Sequence, residues 1–242
     1  MTPSPNSRKT ALVTGGAKRV GRELALALAR SGMNIAITYR ESKAEASQTV
    51  QDLEALGARA TALQLDVRSE QSVRETIAAT VSQFGSLDLL VNNAAVFESA
   101  PLPEITLAQW DTVFETNTRG PFLMAREALP HLKASRGRIV NLGSLGGSHP
   151  WATHAHYCAS KAALHMLTQT MAKAFAPEVS VNCVAPGYIE IQAGKEAAHF
   201  ASKTPMGRNG NVQDVAEALL FFATGSHFIT GQILTVDGGL GL

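Results

Sequence analysis

The sequence predicts one α/β domain, a doubly wound parallel sheet of about seven strands with helices on both faces. Short apolar segments alternate along the chain with helical segments, which is the order of strands and crossover helices in parallel sheets. The connections are short, and no linker or repeat interrupts the alternation. A length of 242 residues, 45% of them hydrophobic, allows a single large core. We therefore expect a loose tail over residues 1–9 and one domain over residues 10–242.

Seven apolar segments are the predicted strands, and a candidate functional residue follows several of them. Ligands of parallel sheets bind at the carboxyl ends of the strands. We therefore expect Gly15, Arg40, Asp66, Asn92 and Ser144 to cluster at one edge of the sheet. The predicted strands are Ala11–Val13, Ile35–Tyr39, Ala60–Leu65, Leu87–Val91, Arg138–Leu142, Val179–Val184 and Ile233–Val236.

The predicted helices end at recognisable stop signals, such as Ser31–Gly32 after the first and Gly57 after the second. Asn117 is expected inside the fourth helix or at a kink in it. The segment from 189 to 205 has no clear pattern, and it is either a lid over the substrate or a disordered insertion. The predicted helices are Arg22–Arg30, Ala44–Leu56, Glu70–Phe84, Leu107–Lys133, Thr153–Phe175 and Val212–Thr224.

Composition and charge argue against several classes of function. A formal net charge of +1 gives no electrostatic reason to expect nucleic acid or a membrane surface as a partner. No apolar segment reaches membrane-spanning length. Cys158 and Cys183 fall inside a predicted helix and a predicted strand, which indicates free thiols in a reducing compartment. The sequence thus predicts a cytoplasmic protein.

Tyr157 and Lys161 are the candidate proton-transfer pair. A spacing of four residues puts both side chains on one face of a helix. A phenol titrates near ~10, and a neighbouring cation favours the phenolate, so Lys161 is expected to bring the pKa of Tyr157 toward neutrality. The alternative is an exposed Tyr and Lys that merely share a helix surface. Ser144 lies thirteen residues before Tyr157 and can donate a hydrogen bond to the same substrate oxygen.

The turn from Thr14 to Gly21 is the candidate phosphate-binding segment. Its glycines allow tight backbone geometry and the close approach of a pyrophosphate to a helix N-terminus. The literal G-x-G-x-x-G string is absent, so a glycine-rich turn without a cofactor is the alternative. Lys18 and Arg19 favour the first interpretation, because two cations in this turn suit a polyanion.

Arg40 predicts the choice of cofactor. NAD-binding sites usually carry an acidic residue at the end of the second strand, and here Tyr39 and Arg40 occupy that place, followed by Glu41 and Ser42. A guanidinium suits a 2′-phosphate, so NADPH is favoured over NADH. NADH is the less favoured alternative, because Glu41 is an acidic residue near the same place. The alternative for Arg40 is a solvated loop cation with no role in cofactor binding.

The chain resembles the short-chain dehydrogenase/reductase family over nearly its whole length. The resemblance implies a Rossmann fold and hydride transfer between NAD(P) and a carbonyl or alcohol. The motifs that carry it are Thr14–Gly21, Asp66, Asn92–Asn93–Ala94, Asn117, Ser144, Tyr157–Lys161, Pro186–Gly187 and Val236–Asp237–Gly238–Gly239.

The resemblance also implies roles for single residues. It assigns Asp66 to the adenine ring, Asn92 and Ala94 to the ribose region, and to Asn117 a connection from Lys161 to solvent through a water and a helix carbonyl. The implied catalytic residues are Asn117, Ser144, Tyr157 and Lys161. The predicted cofactor-binding residues are Gly15, Lys18, Arg19, Val20, Arg40, Ser42, Asp66, Val67, Asn93, Ala94, Tyr157, Lys161, Pro186, Gly187 and Ile189.

The chain departs from the family pattern at two positions. Arg19 stands where most members have glycine, and this turn looks like that of the pteridine reductases, although those reductases typically carry an acidic residue at the position of Ser144. Ile191 stands where relatives often place a threonine that holds the nicotinamide amide. The predicted function is an NADPH-dependent carbonyl or alcohol oxidoreductase. A pteridine reductase and a 3-oxoacyl carrier-protein reductase are the alternatives. A protein that binds NADPH without turnover is disfavoured, because it has no need of all four catalytic residues.

The substrate side offers aromatic residues and no predicted metal site. The apolar and aromatic side chains of Val96, Phe97, Trp151 and Tyr188 are suited to holding a ring. The nearby histidines are predicted to form the pocket rim, because no acidic or cysteine cluster accompanies them. They are His149, His154, His156 and His165.

The sequence also predicts a homotetramer or homodimer. The helices Leu107–Lys133 and Thr153–Phe175 are richer in Ala, Leu and Met than a solvated helix requires. We expect them to form the contact surfaces.

Overall fold

The computed structural model describes residues 8–191 and 197–242, and residues 1–7 of the predicted tail lie outside the described part. Its sheet is entirely parallel, and the strands lie in the order β3–β2–β1–β4–β5–β6–β7. This confirms the predicted fold class. The strands are β1 Thr10–Val13, β2 Asn34–Tyr39, β3 Ala60–Gln64, β4 Leu89–Asn92, β5 Arg138–Leu142, β6 Ser180–Pro186 and β7 Ile233–Val236.

Helices cover both faces of this sheet, with β1 and β4 at its centre. Successive residues of a strand point to opposite faces, so Ala11 and Val13 pack in one core while Leu12 packs in the other. The helices are α1 Arg19–Arg30, α2 Lys43–Ala55, α3 Glu70–Phe84, α4 Leu107–Phe114, α5 Gly120–Ser135, α6 Ala155–Phe175, α7 Ala197–Lys203 and α8 Val212–Thr224.

The predicted fourth helix is interrupted at its centre. A π-helical turn, Glu115–Arg119, separates α4 from α5 and contains Asn117. Pro121 explains part of this interruption, because it has no N–H to donate to the carbonyl of Asn117 and therefore cannot continue an α pattern there. The backbone N–H of Gly120 donates instead to the carbonyl of Glu115, five residues earlier. The kink predicted near Asn117 is thus a π-bulge, a feature frequent at functional sites.

The segment between β6 and α8 lies only in part within the described residues. A short bridge pairs Ile189 with Gly210, and helix α7 follows. Residues 192–196, within the segment predicted to be either a lid or an insertion, lie outside the described part. Within the described ranges, no helix is long and apolar enough to cross a membrane.

Candidate active site

A cleft of about 470 Å³ opens at the carboxyl edge of the sheet, beside the junction of β1 and β4. The strand order reverses at this junction, which is the place where doubly wound sheets bind their ligands. Pro186, Gly187 and Ile189 lie farther along the same edge, at the end of β6. The predicted cofactor residues that line the cleft are Gly15, Lys18, Arg19, Val20, Arg40, Ser42, Asp66, Val67, Asn93 and Ala94.

The glycine-rich turn is closed by hydrogen bonds from the neighbouring strand end. The side-chain amide of Asn93 donates to the carbonyls of Thr14 (2.9 Å) and Gly15 (3.1 Å). The hydroxyl oxygen of Thr14 accepts from the backbone N–H groups of Asn93 and Ala94 at 2.9 and 3.0 Å. A Cβ atom at Gly21 would overlap the Gly15 carbonyl, so this close approach requires glycine. Thr14 had no assigned role from sequence, and Asn93 acts here on the turn itself.

Arg19 departs from the conformation that its residue type prefers. It begins α1 with φ at +53°, in the left-handed region that favours glycine. Its side chain is exposed and lines the cleft, beside Lys18. The structure thus places a guanidinium in the glycine-rich turn at the cost of backbone strain.

The two other cations of the cleft each have a carboxylate partner. The ammonium of Lys18 lies 3.4 Å from Glu45, and the guanidinium of Arg40 donates to Glu41 at 3.0 Å. About half of the side chain of each cation is exposed. Exposed pairs of this kind contribute little to stability, so an incoming phosphate can replace the carboxylates. Arg40 lies at the end of β2, as predicted.

Asp66 and Asn92, two residues with predicted cofactor roles, are occupied by protein partners. The guanidinium of Arg68 donates to both carboxylate oxygens of Asp66, and this pair holds the pKa of Asp66 below its usual value. The buried side-chain amide of Asn92 donates to Asn141 at 2.8 Å. Asp66 lines the cleft, whereas Asn92 is not among the lining residues. Asn92 therefore supports the sheet edge from within.

Tyr157 and Lys161 lie side by side near the start of α6, as the four-residue spacing predicts. Their relative exposures are 8% and 3%, and the ammonium nitrogen lies 5.8 Å from the centre of the phenol ring. The ammonium donates to the carbonyl of Leu142, the last residue of β5, at 2.7 Å. This hydrogen bond holds the ammonium of Lys161 at the end of β5, two residues before Ser144.

The electrostatics of this pair differ from the expectation. Burial raises the pKa of Tyr157, while a hydrogen bond with Ser144 acts in the opposite direction. Burial also lowers the pKa of Lys161 to about 8. In the protein alone, desolvation therefore outweighs any effect of the ammonium on the phenol. The expected lowering of the Tyr157 pKa did not include the burial of Lys161.

Ser144 belongs to a tightly built loop after β5. Its hydroxyl oxygen accepts from the N–H of Gly146 at 3.1 Å, and its side chain is almost fully buried. The imidazole of His165 occupies the space that Cβ atoms at Gly143 and Gly147 would fill. His165 therefore packs beneath the loop that carries Ser144. No sequence signal separated it from the other histidines except its position four residues after Lys161 on the same helix face.

Asn117 connects three elements through its side chain. The amide oxygen accepts from the backbone N–H of Val96 at 2.8 Å, and the amide nitrogen donates to the Val96 carbonyl (2.9 Å) and to the hydroxyl of Ser160 (3.1 Å). The residue is fully buried. Its side chain thus ties the loop after β4 to helix α6, next to Lys161.

Aromatic rings surround the phenol of Tyr157. The ring of Phe97 meets it edge-on, with centroids 4.8 Å apart, and the ring of Trp151 lies nearly parallel to it at 6.1 Å. His154 stacks on Phe97 at 4.7 Å. These contacts place Phe97 and Trp151 beside the candidate proton donor, as the sequence proposed. Tyr188 stacks instead on Phe200, with centroids 4.1 Å apart.

The four histidines do not form one rim. His156 is fully buried, and His165 lies beneath the Ser144 loop. His149 interacts with the carbonyl of Gly241 at 2.8 Å, which ties the loop to the end of the chain. The prediction of a common rim was wrong for His156 and His165, because neighbours in sequence point to different sides of a helix. Within residues 8–191 and 197–242, no group of three or more His, Cys, Asp or Glu side chains is placed to hold a metal.

Comparisons with known proteins agree with this geometry. A family model described as enoyl-(acyl carrier protein) reductase matches residues 15–241. The 3-oxoacyl-[acyl-carrier-protein] reductase FabG of Staphylococcus aureus is 36% identical over 240 residues, covering 96% of this chain and 98% of that protein.

Solved structures of similar proteins have the same fold as this chain. A dehydrogenase/reductase from Sinorhizobium meliloti superposes with a TM-score of 0.93 at 37% identity, covering 98% of this chain and 96% of the other. A blue fluorescent protein from a metagenomic library, solved in complex with NADPH, superposes with a TM-score of 0.90 at 33% identity, covering 99% and 100%. The chain belongs to the short-chain dehydrogenase/reductase family of oxidoreductases.

Proposed function

We propose that the protein is an NADPH-dependent oxidoreductase that transfers a hydride between the nicotinamide and a carbonyl or alcohol substrate. The observation that carries the proposal is the buried group at the carboxyl edge of the sheet. Tyr157 lies there beside Ser144, with Lys161 held against the end of β5. A phenol and a hydroxyl that lie side by side are suited to hydrogen-bonding a single carbonyl oxygen.

The catalytic roles follow from this placement. A nicotinamide cofactor in the cleft supplies or accepts the hydride. The phenol of Tyr157 donates a proton to the carbonyl oxygen during reduction and takes it back during oxidation. The hydroxyl of Ser144 donates a hydrogen bond to the same oxygen as negative charge develops there. The ammonium of Lys161, charged at neutral pH, favours the phenolate that remains after transfer. The side chain of Asn117 holds the loop after β4 and helix α6 in position beside these residues.

NADPH is the proposed cofactor because of the charges at the adenosine end of the cleft. Arg40 occupies the end of β2, where an acidic residue would be expected for NADH. Lys18 and Arg19 add positive charge in the glycine-rich turn. The NADPH complex of the metagenomic relative supports this choice. Asp66 would contact the adenine while Arg68 holds its carboxylate.

The proposal is tested by NADPH oxidation, followed at 340 nm, against a panel of ketones, aldehydes, 3-oxoacyl thioesters and a dihydropterin. We expect turnover of carbonyl substrates with NADPH and much weaker turnover with NADH. Ser144→Ala should lower kcat about 10²-fold. Absence of NADPH oxidation with every carbonyl would overturn the proposal, and so would parental turnover in Ser144→Ala.

A 3-oxoacyl carrier-protein reductase is the second candidate, favoured by the 36% identity to the Staphylococcus aureus enzyme. Both candidates use the same proton donor and differ in what surrounds the carbonyl. A pteridine reductase is supported by the glycine-rich turn with Arg19 and by the position of Phe97 beside Tyr157. The same panel separates the three, because kcat/KM can be compared directly between a simple ketone, an acyl thioester and the pterin.

We propose further that two copies associate through a groove of about 630 Å³ between α4, α5 and α6. Phe122 and Met166 line it with exposed fractions of 43% and 63%, and exposed apolar side chains that share one groove are suited to being covered by another chain. Light scattering should give a dimer or tetramer, and Met166→Glu should shift it toward the monomer. A monomeric parent would contradict the proposal.

The free thiols of Cys158 and Cys183 agree with a cytoplasmic location.

A further inference from the structure

The aromatic side chains beside Tyr157 come from two separate loops. Phe97 follows β4, whereas Trp151 and His154 precede α6. They contact one another as well as the phenol, since His154 stacks on Phe97 at 4.7 Å and meets Trp151 edge-on at 5.8 Å. The two loops are therefore joined by ring contacts around the proposed proton donor.

Phe97 is the ring with an open surface. One of its faces stacks on His154 with an angle of 19° between the planes, and its contact with Tyr157 is edge-on at 88°. In spite of both contacts, 61% of Phe97 remains exposed. A large aromatic surface thus stands open next to the atom that must reach the substrate oxygen.

Trp151 is held in place by its packing against the loop of Ser144. It forms an aromatic wall beside Tyr157 together with Phe97 and His154. Its six-membered ring lies where a Cβ atom at Gly146 would be 3.0 Å from it, so the glycine admits the indole against the loop of Ser144. Its plane is within 11° of that of Tyr157. The wall is therefore already assembled around the phenol, which reduces the entropy lost when a flat group binds.

We infer that the substrate carries an aromatic ring attached to its reacting carbonyl carbon, and that Phe97 and Trp151 determine this specificity. The inference rests on the proposed carbonyl reduction. A carbonyl oxygen held by Tyr157 and Ser144 leaves its substituents beside these rings, and stacked or edge-to-face ring pairs attract each other beyond the burial of area. Phe97 supplies the exposed surface that contacts the substrate ring, and Trp151 determines the shape of the space beside Tyr157.

The test compares two ketones of matched size, 1-phenylethanone and 1-cyclohexylethanone, with NADPH in the parent, in Phe97→Leu and in Phe228→Leu. Phe228 is a matched control, because it is 97% exposed and lies outside the site. We expect Phe97→Leu to lower kcat/KM for the phenyl ketone about 2- to 10-fold, the range given by one aromatic pair. The cyclohexyl ketone should change less than about twofold, and Phe228→Leu should change neither substrate.

The comparison within each substrate cancels the difference in intrinsic reactivity of the two ketones. Equal losses on both ketones in Phe97→Leu would overturn the inference and leave the proposed function standing. Selective turnover of the N-acetylcysteamine thioester of acetoacetate, unaffected by Phe97→Leu, would overturn it as well. Lack of NADPH oxidation with any carbonyl would instead remove the proposed function, and the inference with it.

Discussion

The cofactor side and the substrate side of the site are built from different parts of the chain. On the cofactor side, backbone carbonyls and N–H groups of the glycine-rich turn are held by Asn93 and Thr14, within one rigid sheet edge. On the substrate side, the surface consists of side-chain rings on two loops. Backbone geometry of this kind serves any member that binds the same dinucleotide. Rings on loops can change without disturbing the sheet, so specificity is expected to vary there.

Charge follows the same division. The cations of the cofactor side are exposed and lie beside carboxylates, whereas Lys161 is buried and has a backbone carbonyl as its partner. Exposed cations are suited to exchange a carboxylate for a phosphate. A buried cation is suited to act on one neighbouring group, because solvent does not screen it.

Tyr157→Phe should lower kcat about 10²- to 10⁴-fold and leave the Kd for NADPH nearly unchanged. The substitution deletes the proton donor but keeps the ring that packs against Phe97 and Trp151. Steady-state kinetics and fluorescence titration with NADPH measure the two quantities. Tyr188→Phe is the matched control and should retain activity close to the parent. If Tyr157→Phe turned over any accepted substrate at the parental rate, the assignment of the proton donor would be wrong.

The burial of Lys161 should appear in the pH dependence of stability. The folded-state pKa of about 8 lies below the ordinary 10.5, so the folded protein binds the proton less tightly than the unfolded chain does. The free energy of unfolding should therefore gain a contribution of about 3 kcal/mol as the pH rises from 8 to 10.5, and lack it below pH 8.

Denaturant unfolding of Lys161→Met across this pH range isolates the contribution, since methionine cannot titrate. Lys173→Met is the matched control, because Lys173 is exposed on the same helix. Burial also raises the pKa of Cys183 to about 12, which lowers the free energy of unfolding above pH 9 in all three proteins, so the difference between variants is the quantity to compare. We expect the parent and Lys173→Met to gain about 3 kcal/mol relative to Lys161→Met between pH 8 and 10.5. The same slope in all three proteins would show that Lys161 is solvated.

Sequence predictability followed the same division between backbone and side chains. The order of strands and helices was predictable because each element carries its own pattern, and the sheet edge then brings Gly15, Arg40 and Ser144 together. For Asn117 the sequence predicted either a helix interior or a kink, and it could not predict the π-bulge, since the carbonyl that accepts from Gly120 depends on tertiary geometry. The position of His165 beneath the Ser144 loop has no local signal. It follows from the space left by two glycines on another element.

Arg40→Ala should reduce the preference for NADPH about 10- to 100-fold, by raising KM for NADPH far more than KM for NADH. A guanidinium bound to a 2′-phosphate is worth ~1.5–3 kcal/mol, and each ~1.4 kcal/mol is a factor of ten. Arg40→Asp should go further, because it repels the phosphate and offers the ribose diol an acceptor. Arg30→Ala, an exposed arginine at the end of α1, is the control. Unchanged KM ratios in Arg40→Ala would make Arg40 an ordinary surface cation.

The smallest expected effect concerns Arg19, whose backbone is strained and whose side chain lines the cleft. Arg19 and Arg136 are the two non-glycine residues with positive φ in the described part of the chain, at +53° and +50°. Arg19 lines the cleft, whereas Arg136 follows the end of α5. A left-handed residue other than glycine costs ~1–2 kcal/mol, and the greater freedom of glycine in the unfolded chain offsets part of this.

Arg19→Gly and Arg136→Gly should therefore both raise the free energy of unfolding, each by less than about 1 kcal/mol. They should differ in binding: Arg19→Gly weakens NADPH severalfold, since it removes a cation from the phosphate-binding turn, and Arg136→Gly leaves it unchanged. Denaturant unfolding and NADPH titration of the two variants give both readings. Equal NADPH affinities would mean that the strain at Arg19 serves no phosphate contact. A loss of affinity confined to Arg19→Gly, together with a gain of stability in both, would show that backbone strain is retained at this turn for the sake of the cofactor.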